Sequence, residues 1–213
     1  MTNIDKKIFQ AFEKLFAVYR AQLWEIAQKY RLSPIMIQFL NYLKHHQNKG
    51  NTISYLSAEF LLTKSTISEA ISLLKKRGYI IKEPANLDGR IKYLKLTKRG
   101  EEIVAKLQEY EKWFGQVLKK FPEKNKEAIF VFLVELLRLL KLKRNIEVLR
   151  SCLFCINFEF NKYPGEKKAH YCRLLNLRLG EKDVQIDCDL NAEAKTYRKE
   201  LKPIFLRDKE FLR

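Results

Sequence analysis

Cysteine is missing from the first 151 residues of this 213-residue chain. Thiol chemistry and disulfide stapling are therefore excluded from the larger part of it. Glycine and proline are scarce, at seven and five, which argues against a turn-rich all-β fold and for long helices. The most apolar run, "AIFVFLVELLRLL" from Ala128 to Leu140, carries Glu135 and Arg138 and is too short to span a bilayer. The opening "MTNIDKKIFQ" is polar and has no apolar leader segment, so a soluble cytoplasmic protein without a membrane partner is expected. No paired catalytic carboxylates, nucleophile–base motif or glycine-rich phosphate loop can be found, and a non-enzyme is expected. Acidic residues are also in short supply: 25 against 42 lysines and arginines, a formal net charge of +17. Such an excess suits a polyanionic partner, because neutralising phosphates releases condensed counterions.

What is present is mostly helical periodicity. Ile4, Ile8, Phe12, Leu15, Tyr19, Leu23 and Ile26 recur at steps of three and four, predicting a helix over 4–29. Ser33-Pro34 then reads as N-cap and first helical position of a second helix, "IMIQFLNYLKHH", closed by His45 and His46. Ser54 is the expected cap of a short helix, "YLSAEFL", and Thr63 of a longer one, "KSTISEAISLLKKR". In the longer helix Ile67, Ala70, Ile71 and Leu74 share one face, and short polar side chains occupy the other. "YIIKE" and "RIKYLKL", joined by "PANLDG", read as two strands about a turn. A helix–turn–helix followed by a two-stranded ribbon makes a winged helix.

Charge supports that purpose. Between Thr63 and Gly100 ten basic residues face only Glu69, Glu83 and Asp88. A helix set into a major groove would present Lys64, Ser65, Thr66, Ser68, Glu69 and Ser72 to base edges and phosphates. Lys75 and Lys92 add phosphate-binding charge, and Arg90, beside the ribbon's turn, can enter a minor groove or pair with Asp88. Double-stranded DNA is thus the expected partner. From Thr97 onward, Ile103, Leu107, Tyr110, Phe114, Val117 and Phe121 form a near-heptad seam. After Pro122 comes a helix reaching about Arg150, apolar nearly all round in its middle. A second copy of the chain is the economical cover, so a homodimer is expected.

"LSPIMIQFLNYL", "ISYLSAEFLLTKSTISEAISLLKKRGYI" and "DGRIKYLKLTKRG", in that order, resemble the MarR family of dimeric bacterial transcriptional regulators. The sharpest element is Asp88-x-Arg90 followed by Leu96-Thr97-x-x-Gly100. Over roughly residues 4–148 the resemblance implies a two-fold dimer on a pseudo-palindromic operator. By position, it makes Arg90 the wing residue and Ser65–Ser72 the reading face. It further implies release by a small-molecule effector in many relatives. With no cysteine in the matching part, thiol sensing there is excluded.

All four cysteines lie beyond that region. Cys152 and Cys155 form a C-x-x-C, and Cys172 and Cys188 follow. In a reducing cytoplasm a cysteine cluster points to metal ligation or redox use. Four thiolates suit a tetrahedral zinc ion or, as the alternative, a [4Fe–4S] cluster. His170 could replace one ligand or support a sulfur from behind. The expected architecture is mainly α. It comprises a dimerisation helix (1–32), a winged helix–turn–helix (33–100), dimerisation helices (101–150) and a cysteine-rich metal-binding extension with a terminal helix (151–213). Rival readings are a cluster-dependent redox protein and a winged-helix interaction adaptor that reads no DNA sequence.

Overall fold

Thr2 starts the first helix by accepting the Asp5 N–H on its hydroxyl while the Asp5 carboxylate accepts the Thr2 N–H at 2.7 Å, a reciprocal cap. The computed structural model describes residues 2–46, 51–84, 92–144 and 150–192. The chain divides into two compact units, Met1–Val117 and Leu118–Arg213.

In the first unit α1 (Asn3–Tyr30) ends at Arg31, whose left-handed φ of 54° turns the chain. Next come α2 (Pro34–His45), α3 (Ile53–Glu59), α4 (Lys64–Lys76), β1 (Ile80–Pro84), β2 (Lys92–Leu96) and α5 (Lys98–Leu118). The predominance of helix matches the mainly-α expectation. The strands pair antiparallel, with Ile80 opposite Leu96 and Pro84 opposite Lys92. One core lies beneath them: Ile37, Phe39 and Leu40 of α2, Leu56 of α3 and Ile67, Ile71 and Leu74 of α4 are sealed from solvent. Removing such a side chain typically costs about 2–5 kcal/mol.

One cap differs from the sequence reading, and one is as read but without a side-chain bond. Thr52, not Ser54, caps α3, its hydroxyl accepting the Tyr55 N–H at 3.3 Å; Ser54 already stands inside the helix, in its first turn. Ser33 occupies the N-cap position of α2 but makes no side-chain cap bond. Pro34 supplies the preset φ there and has no N–H to satisfy.

The second unit begins with α6 (Glu123–Arg144) and continues into an irregular module. There β3 (Phe158–Glu159), β4 (His170–Cys172) and β5 (Leu177–Leu179) form a small antiparallel sheet in the order β3-β4-β5. Cys152, Leu153, Phe154, Phe158 and Val184 of the module share a core with Val134 of α6, flanked by Phe130. Beside it, Glu135 and Arg138 form a buried bidentate pair, with Arg138 Nε donating to Glu135 at 2.8 Å. This core covers one flank of α6, whereas Ile129, Phe132, Leu139 and Leu140 remain exposed. The terminal helix expected beyond Asn191 falls almost wholly outside the described residues. No described helix is long and apolar enough to cross a membrane.

Candidate nucleic-acid interface and cysteine centre

α4 is presented by a tight turn. Leu61 adopts a φ of 51°, and the Ser57 hydroxyl donates to the Leu62 carbonyl at 2.6 Å. Thr63 then caps α4 through the Thr66 N–H at 3.2 Å. Because Ile67, Ala70, Ile71 and Leu74 fill the core, the 3.6-residue period turns the other face outward. Lys64, Ser65, Thr66, Glu69, Ser72 and Lys75 are exposed and Ser68 is half-buried. The seven α4 positions singled out from sequence are therefore on one outward side. Ser65 donates to Glu69 at 3.4 Å, so that carboxylate is partly engaged within the helix.

The wing is tied to this helix by a short polar network. Gly78 takes a φ of 74° directly after α4, a conformation that favours glycine. The Thr97 hydroxyl donates to its carbonyl at 2.7 Å and accepts the Gly100 N–H at 3.2 Å. Gly100 packs so closely that a Cβ there would stand 2.3 Å from the Tyr79 carbonyl oxygen. The Leu96-Thr97-x-x-Gly100 motif is thus a joint between wing and α5. Arg99 Nη1 donates to the Arg77 carbonyl at 3.1 Å, and its guanidinium stands over the Tyr79 ring. In the sequence Arg99 is only one of the ten basic residues between Thr63 and Gly100; its bracing role depends on the fold bringing Tyr79 beneath it. Lys92 opens β2 and is exposed; Arg90 lies outside the described residues.

In the second unit Cys152, Cys155, Cys172 and Cys188 line one small cavity of about 20 Å³, together with Phe158, Leu174 and Leu175. None is in a disulfide. The Cys155 N–H donates to the Cys152 carbonyl at 3.0 Å, closing the C-x-x-C turn. Cys172 is brought alongside by its register opposite Phe158, and Cys188 by its N–H to the Arg150 carbonyl at 3.1 Å. Two sulfurs accept backbone N–H groups: Cys152 from Gln185 at 3.3 Å, Cys188 from Leu190. Burial first, and the neighbouring thiols second, push the Cys152 and Cys188 thiols above their ordinary range, with these N–H donors opposing. Among the described residues no three His, Cys, Asp or Glu side chains already stand in a ligand-ready grouping. The shared cavity is the weightier fact, since it is set by the backbone, whereas one staggered χ1 step moves a cysteine sulfur by about 3 Å.

His170 is placed differently. Its Nδ1 accepts the Asn161 N–H at 3.1 Å, and its ring packs on Phe160 and Phe158. It lines a separate cavity with Glu127, Lys167 and Asp183, not the one the cysteines share.

Residues 32–91 match a model of the MarR family. Over 95 residues the chain is 28% identical to the HTH-type transcriptional regulator BilQ of Clostridioides difficile (strain CD3), covering 44% of this chain and 63% of that protein. The match thus spans less than two thirds of that relative's length. Among solved structures, Streptococcus pneumoniae FabT in complex with DNA superimposes with a TM-score of 0.55 at 19% identity, over 65% of this chain and 95% of that one. Staphylococcus aureus MarR in complex with salicylate and kanamycin gives 0.53 at 20%, over 66% and 94%. These likenesses show the fold. Residues 32–91 are similar to the MarR family, and the first unit has the winged helix–turn–helix fold.

Proposed function

We propose that this protein is a non-enzymatic, cytoplasmic transcriptional regulator that binds a pseudo-palindromic DNA operator as a homodimer. The observation that carries the reading is the outward face of α4, where Lys64, Ser65, Thr66, Ser72 and Lys75 stand together on a helix whose other side is locked in the core. Hydroxyls and amines at that spacing can meet base edges and phosphates in one groove. The relative BilQ is a transcriptional regulator by name, and FabT was solved on DNA. Arg90 keeps its proposed role as the minor-groove residue of the wing, and Lys92 that of a phosphate contact.

Dimerisation has its own support. Ile4, Phe9, Leu15, Phe16 and Trp24 of α1 are each more than half exposed, an apolar surface of the kind a second subunit covers. A groove of about 520 Å³ between α1 and α5, lined by Val18, Gln22, Tyr110 and Trp113, is of a size to admit a small effector. S. aureus MarR was solved with such a molecule, salicylate. The four cysteines complete the reading as a metal centre, structural or sensory, with zinc preferred to a [4Fe–4S] cluster.

DNA affinity measured against salt tests the regulator. A palindromic site selected from random sequence should be preferred by at least about 10³-fold over bulk DNA, with a steep salt slope. Arg90→Ala and Lys64→Ala should weaken it. Equal affinity for selected and random DNA would favour the adaptor instead.

A further inference from the structure

We infer that Cys152, Cys155, Cys172 and Cys188 hold a single zinc ion as a tetrathiolate, and that this ion fastens the module of residues 150–192 onto α6. The inference rests on the metal-centre reading above and decides between its two forms.

Size is the first argument. The cavity that the four cysteines line together with Phe158, Leu174 and Leu175, about 20 Å³, corresponds to little more than one water-sized sphere. One ion with sulfurs at about 2.3 Å fits that scale. A cube of four irons and four sulfides is larger and would need the side chains of Phe158, Leu174 and Leu175 on the cavity wall to move aside.

Electrostatics is the second. Binding displaces a proton from each thiol and leaves a centre of net charge about −2, Zn²⁺ plus four thiolates. That charge needs donors around the sulfurs, and two are in place in the Gln185 and Leu190 N–H groups. Such outer hydrogen bonds are what holds thiolate ligands in position.

The third argument is what the ion would hold. The module's strands are two and three residues long, far below what an independent sheet needs. Its core is a handful of side chains, and Leu153 and Phe154, which lie between the first two ligands, share it with Val134 of α6 and line one small cavity with Val134 and Leu137. Lys141 of α6 also stands over the Phe154 ring at 4.4 Å. A ligand cross-link at Cys152 and Cys155 therefore fixes the two apolar residues that grip the helix.

The test uses the full chain, purified under reducing conditions with no metal added, and elemental analysis beside acid-labile sulfide. One zinc per chain is expected, with neither iron nor sulfide. Cobalt(II) replacing the zinc should give the intense visible bands of a tetrahedral thiolate site. Cys152→Ser/Cys155→Ser and Cys188→Ser should each lose the zinc. Hydrogen exchange should then show lost protection at residues 130–134 and 152–172, with 37–43 unchanged. Iron with sulfide would overturn the inference and leave a metal centre standing. Absence of any metal, with four thiols freely reactive, would overturn both, as would zinc fully retained by the double variant. The DNA titration is read on the same samples, so failure of the regulator reading stays separate.

Discussion

The Thr97 hydroxyl donates to the Gly78 carbonyl at 2.7 Å, joining the residue that opens α5 to the glycine that follows α4. The same oxygen accepts the Gly100 N–H, so one side chain satisfies groups from both ends of the wing. The end of α4 and the start of α5 are thereby tied together at the base of the ribbon.

Thr97→Ala should lower the stability of the winged domain by about 1–2 kcal/mol, the cost of a lost cap and a stranded carbonyl. Thr97→Ser, which keeps the hydroxyl, should restore most of it. Denaturant midpoints of the three proteins decide the matter; an unchanged midpoint for the alanine variant would show the bridge to be idle.

The apolar stripe of α1 should be the seat of self-association. Phe16 is 66% exposed, so Phe16→Glu leaves the core untouched and places a charge where a second subunit would pack. Sedimentation should move from dimer to monomer at micromolar concentration, and operator affinity should fall with it.

Lys75 stands exposed in the last turn of α4. If it meets a phosphate, Lys75→Ala should weaken binding about equally on every sequence. The slope of log affinity against log salt should drop by about 1. A sequence-dependent loss would instead assign Lys75 to base reading.

The buried Glu135–Arg138 pair gives a stability prediction in the second unit. Glu135→Ala removes the bidentate carboxylate from the Arg138 guanidinium, 5% exposed, and should destabilise the second unit by up to about 3–5 kcal/mol. A paired replacement by leucine and methionine should recover much of that, because the desolvation of two charges is removed along with their attraction. Thermal melts of the full chain followed at the second transition provide the readout.

Much of the winged helix–turn–helix is legible in the sequence because its signals are local. The i, i+3, i+4, i+7 spacing of Ile67, Ala70, Ile71 and Leu74 sets which face of α4 is buried, and hence which face is free. Thr63 and Gly78 mark its ends by backbone chemistry alone. A cap shared between neighbours is less legible: Thr52 and Ser54 both suit the role, and only the path of the chain through Tyr55 chooses between them. Position 100 shows the same limit, since a glycine reads as a helix breaker until Tyr79 is seen 2.3 Å from where its Cβ would be.

The sequence by itself determined the element order, the basic winged helix and the confinement of every thiol to one late segment, because periodicity, caps and composition act within a few residues. Only the tertiary structure decided which side chains of that segment meet. Cys172 and Cys188 reach the C-x-x-C through strand register and a backbone bond to Arg150, while His170, two residues from a cysteine, is turned into another cavity. Such contacts join residues up to 36 positions apart, from Cys152 to Cys188, and no local pattern encodes them. They follow from burying Leu153, Phe154 and Phe158 against α6.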